Sequence, residues 1–136
     1  MKTVSLFSLL LILASCGTKQ SGDADMYEAS EMSQLMREMV RFSKKAKANL
    51  EQGKPTPKVP EAIWELQTAE GTRDEHLEDP FQAMAVPYLS ALRGIERGDS
   101  QAYFYSKSID ACKSCHGTYC GGPMAVINTL GLEQHN

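Results

Sequence analysis

From residue 27 onward, apolar side chains recur at steps of three and four, the spacing that gathers them on one face of a helix. Met32, Leu35, Met36, Met39, Phe42, Ala46 and Leu50 make the first stripe, with Arg37, Arg41, Lys44, Lys45 and Lys47 opposite. This predicts a helix from Tyr27 to Gln52, stopped by Gly53 and Pro55. Pro57 and Pro60 make the next link stiff and extended. From Glu61 to Glu78 the period weakens: Ala62, Ile63 and Leu66 give a short stripe, Gly71 interrupts it, and acidic residues crowd the remainder. A short helix running into a charged loop is expected there. Phe81, Met84, Ala85, Tyr88, Leu92 and Ile95 predict a clearer helix ending at Arg97, with a kink at Pro87, which removes the bond to the Ala83 carbonyl. Gly98-Asp99 reads as stop and restart, with Asp99 or Ser100 as N-cap. The last stripe steps through Ala102, Tyr105, Ile109, Cys112, His116 and Tyr119 until Gly121-Gly122-Pro123 ends it. No stretch alternates at period two, so the expected fold is all-α: a small four-helix bundle with a short second helix.

The first residues follow a different logic. Lys2 precedes an apolar run from Val4 to Leu13 that is too short to span a bilayer. Leu13-Ala14-Ser15-Cys16 then resembles the lipobox of bacterial lipoproteins, which implies cleavage before Cys16 and acylation of its thiol. An ordinary secretory signal ending beside a cysteine is the alternative. On this reading residues 1–15 are a signal peptide, 16–26 a polar, flexible tether, and 27–136 a single helical domain. The membrane partner is then reached through lipid, on the periplasmic side of a bacterial membrane. Losing Lys2 moves the formal charge from −3 to about −4, and this mild acidity leaves no basic footprint for nucleic acid.

The chemistry lies in Cys112-Lys113-Ser114-Cys115-His116, a Cys-x-x-Cys-His motif that reads as a c-type haem attachment site. Two thiols separated by two residues sit one helical turn apart, matching two vinyl groups on one haem edge, and the adjacent imidazole can bind the iron. Three other readings compete. A dithiol redox pair normally opens the helix of a βαβ unit, which is lacking here. Zinc could take Cys112, Cys115, His116 and Cys120, but adjacent ligands at 115 and 116 are awkward. Export to an oxidising space would also allow a structural disulfide.

A haem motif in the last helix resembles the class II cytochromes c, the cytochrome c′ family and its low-spin relatives. Residues 34–55 are similar to the first helix of that family and its exit, 88–99 to the third helix and turn, and 111–119 to the haem helix. The resemblance implies a four-helix bundle with one covalent haem c, held by Cys112 and Cys115, with His116 as proximal iron ligand. It also implies that position 36 on the first helix faces the open side of the iron. Low-spin members carry Met there, as this chain does, whereas gas-binding members carry an apolar residue. The chain departs from the pattern in a short span between Pro55 and Cys112, and in Cys120, which stands where a basic residue is usual.

Met36 as distal ligand closes the iron and suits electron transfer. Met36 as simple core packing leaves a five-coordinate haem that binds NO or CO. Met39 is the next candidate, Met124 is too close in sequence to His116, and His76 and His135 lie in an acidic loop and the tail. Cys120 is read as a small residue one turn past His116, or as a redox-active thiol or one in an intermolecular disulfide. The expected function is a lipid-anchored carrier of single electrons between redox partner proteins, not an enzyme. The resembling family also implies a homodimer. The basic face of the first helix and the acidic stretch 61–79 could steer a partner or simply be solvated.

Overall fold

Residues 28–71 and 79–133 are described by the structure, a computed structural model. The first apolar stripe becomes α1, Glu31–Glu51. It begins later than its pattern suggests because the Ser30 side chain accepts from the Ser33 N–H at 3.2 Å, capping a donor the helix cannot satisfy. Met32, Leu35, Met39, Phe42 and Ala46 are buried, whereas Met36 is only half-buried. Gly53 takes a left-handed conformation (φ 66°) just past the end, as a helix stop requires.

The weak second stripe is a seven-residue 3-10 helix, Glu61–Gln67, in which Ile63 and Leu66 align at the three-residue repeat and are buried. Two backbone contacts fix it against α1: Met32 N–H donates to the Glu70 carbonyl at 3.0 Å, and Glu70 N–H donates to the Glu31 carboxylate at 2.9 Å. Arg93 lies over the Trp64 ring, 6.0 Å from its centroid, adding a cation–π contact to the next helix.

Helix α2, Asp79–Glu96, continues through Pro87, which lies on its exposed face. Helix α3, Gln101–Tyr119, packs along it, and this pair forms the most extensive interface in the fold. The approach is close at Gly94, where an added Cβ would lie 2.3 Å from the Phe104 ring. Ser100 precedes α3 as expected, but its backbone is left-handed (φ 53°) and its side chain makes no capping bond. Gln101 ties the turn instead, donating to the Ile95 carbonyl and the Thr56 hydroxyl, each at 2.9 Å.

Gly121-Gly122-Pro123 ends α3, but a further five-residue helix, α4 (Met124–Asn128), follows and folds back beneath the bundle. Ile127 and Leu130 are buried there. The Tyr105 hydroxyl, fully buried, lies 2.7 Å from the Leu130 carbonyl and 3.1 Å from that of Ser43, so one side chain of α3 ties α1 to the C-terminal segment. The fold is all-α, a small helical bundle, and the described residues contain no strand. None of the described helices is long and apolar enough to cross a membrane.

Candidate functional site

The stripe that buries Tyr105 and Ile109 runs on along α3 to Cys112, Cys115, His116 and Tyr119, which are half-buried because the bundle opens there. The opening is a cleft of ≈ 180 Å³. Cys112, Cys115 and His116 border it from α3, Met32, Met36 and Met39 from α1, Phe81 from α2, and Ile127 and Leu130 from the C-terminal segment. A second, smaller compartment of ≈ 30 Å³ extends from it toward Leu66, Met84 and Tyr88. Met36, Met39, Phe81, Cys112, Cys115 and His116 border both compartments. Among the described residues, no Asp, Glu, Lys or Arg lines either one, so this surface is mostly hydrocarbon, aromatic ring and sulfur.

The structure therefore gathers the three residues of the motif and Met36 around one cleft. Met124 lines neither compartment, although it packs against the core. Cys16, His76 and His135 lie outside the described residues.

His116 has a fixed orientation. Its Nδ1 lies 3.1 Å from the Cys120 carbonyl oxygen, which can only accept, so Nδ1 carries the proton and Nε2 keeps its lone pair. A metal-binding imidazole needs this arrangement, in which the second nitrogen donates to a carbonyl. Cys120 reaches this place because α3 ends on it, its backbone extended at φ −154° and ψ 76°. The sequence drew attention to its thiol; its carbonyl was not legible there.

The two motif cysteines are half-buried. Burial first, and the neighbouring Cys115 second, push the Cys112 thiol up to about 12, and burial together with Cys120 raises that of Cys115. A dithiol redox site works through a lowered thiol, and this environment acts in the opposite direction. Cys112, Cys115 and Cys120 form no disulfide. Among the described residues, no three His, Cys, Asp or Glu side chains converge as a metal-ion site.

Tyr88 and Phe81 enter the site unannounced, since the sequence marks them only as members of a packing stripe. Phe81 stands between the compartments, edge-on to Tyr119 with ring centroids 5.2 Å apart. Tyr88 is 3 % exposed, and its hydroxyl has no hydrogen-bond partner. A buried unpaired hydroxyl costs about 1–3 kcal/mol, so its persistence beside a cleft is consistent with a polar contact to an occupant.

No family model, curated protein or solved structure matches the chain. Its function is therefore argued from the cleft itself. The donor set fits a covalently attached haem: two thiols one turn apart, an imidazole with Nε2 available, and a mostly apolar lining.

Proposed function

We propose that this protein is a monohaem c-type cytochrome, similar to the class II group, that transfers single electrons outside the cytoplasm while tethered by lipid on Cys16. The observation that carries the reading is that Met36, distant in sequence, borders the same apolar cleft as Cys112, Cys115 and His116.

Cys112 and Cys115 hold one edge of the cofactor. Their thiols would hold it through thioether bonds. His116 offers Nε2 to the iron, with its ring held by the Cys120 carbonyl. Met36, half-buried on α1, would offer its sulfur to the iron as well. The bound haem supplies a one-electron couple between ferric and ferrous iron. The apolar lining keeps water from the iron and disfavours the more highly charged oxidised state, which raises the potential, as does a His–Met ligand pair. Among the described residues, the cleft presents no carboxylate for acid–base work, and the function assigned is electron carriage.

Intact mass of the protein produced with a haem-maturation system tests the attachment. A single haem retained after denaturation, and lost in the Cys112→Ala/Cys115→Ala double variant, is expected. Haem that dissociates on denaturation, or none at all, would refute it.

A further inference from the structure

The hydroxyl of Tyr88 needs an acceptor, and its compartment offers few. Its lining consists of hydrocarbon and aromatic side chains, sulfurs and His116. The imidazole is committed: Nδ1 to the Cys120 carbonyl, and Nε2, on the reading above, to iron. Among the described lining side chains, the remaining acceptors are the sulfurs of Met36, Met39, Met84, Cys112 and Cys115. Bound water would find a single polar partner in Tyr88, where buried waters normally make about three hydrogen bonds. An anion would have no countercharge among the described lining residues.

Of the five sulfurs, Cys112 and Cys115 are tied to the cofactor edge, and Met39 is buried in the core. Met84 borders only the smaller compartment. Met36 borders both and is half-buried, so its side chain can be drawn toward an occupant without breaking the core.

We propose that Tyr88 is the positioning residue for Met36: its hydroxyl donates a hydrogen bond to the Met36 sulfur and holds that side chain on the iron side of the cleft. The inference rests on the haem reading and deepens it. The otherwise unpaired hydroxyl gains its partner when the cofactor draws Met36 into place, so cofactor binding and Met36 ligation reinforce each other. The positive end of the O–H dipole points at the ligand sulfur and favours the iron state of lower charge, so Tyr88 raises the potential.

The test is Tyr88→Phe in the haem-loaded protein, compared with Met36→Ala and the double variant. The ring is kept and only the unpaired oxygen is lost, so the fold is expected to survive. Tyr88→Phe should lower the midpoint potential and let external imidazole displace Met36 with about tenfold higher affinity. In the Met36→Ala background the same change should do neither, because the hydroxyl acts through that sulfur. An unchanged potential and imidazole affinity in Tyr88→Phe would overturn the proposal while leaving the cytochrome reading intact. So would equal effects with and without Met36. A Met36→Ala spectrum identical to wild type would remove Met36 from the iron and the proposal with it. Absence of haem would defeat the cytochrome reading itself.

Discussion

His116 and Cys120 exchange two hydrogen bonds across the last turn of α3. The Cys120 N–H donates to the His116 carbonyl at 3.1 Å, and His116 Nδ1 donates to the Cys120 carbonyl at the same distance. Both bonds use the backbone of Cys120, so its thiol is dispensable. Cys120→Ser should therefore leave the haem spectrum and midpoint potential unchanged. Cys120→Pro should disturb both, because proline deletes the N–H and fixes φ near about −65°, far from the −154° found. Absorption spectra and potentiometry of the two variants check this. A Cys120→Ser protein with an altered spectrum would assign the thiol a role that the hydrogen bonds do not.

The two buried tyrosines should respond oppositely to loss of their hydroxyls. Tyr105 bonds the Leu130 and Ser43 carbonyls, so Tyr105→Phe should cost about 1–3 kcal/mol and loosen the C-terminal segment. The Tyr88 hydroxyl has no partner, so in the cofactor-free chain Tyr88→Phe should be neutral or stabilise by about 1 kcal/mol. Urea titration of both variants gives the two signs directly.

Close packing of α2 on α3 depends on Gly94. A methyl group there would enter the Phe104 ring, so Gly94→Ala should destabilise by about 1–3 kcal/mol through overpacking. Adding Phe104→Leu should recover part of that loss. Thermal unfolding of the single and double variants measures the coupling.

Burial of the Cys112 thiol makes the cofactor-free protein sensitive to alkali. Its folded value lies near about 12 against an ordinary 9.0, so between those limits the unfolded chain ionises while the folded one stays neutral. The stabilisation is complete below pH 9 and is lost as pH rises toward 12. Stability of the chain should fall across that range, and less steeply in Cys112→Ala. Alkylation at Cys112 should likewise be slow near neutrality and accelerate steeply with pH; rapid modification at neutral pH would support the dithiol reading instead.

Much of the fold was legible because three helices carry long three-four stripes, and a stripe of that length fixes both helix and buried face. Two parts were hidden for physical reasons. Helix α4 follows a Gly-Gly-Pro stop and is only five residues long, so Ile127 and Leu130 had too little periodicity to announce it. The capping role of Ser100 failed because its left-handed backbone leaves the side chain without a capping bond. In the site, Cys112, Cys115 and His116 were legible because local spacing dictates their geometry. Periodicity placed Met32, Met36 and Met39 on one face, but not where the bundle opens, which leaves Met36 half-buried. The unpaired Tyr88 hydroxyl and the Cys120 carbonyl depend on which groups lie opposite them in space, and no spacing along the chain encodes that.

The most direct test of the central claim is the visible absorption spectrum of the mature, haem-loaded protein, oxidised and reduced, with and without carbon monoxide. A six-coordinate haem ligated by His116 and Met36 should give sharp, split bands on reduction that resist carbon monoxide, and Met36→Ala should make them responsive. Broad high-spin bands that shift with carbon monoxide would contradict the Met36 assignment and indicate a gas-binding protein, and a colourless protein would contradict the account as a whole.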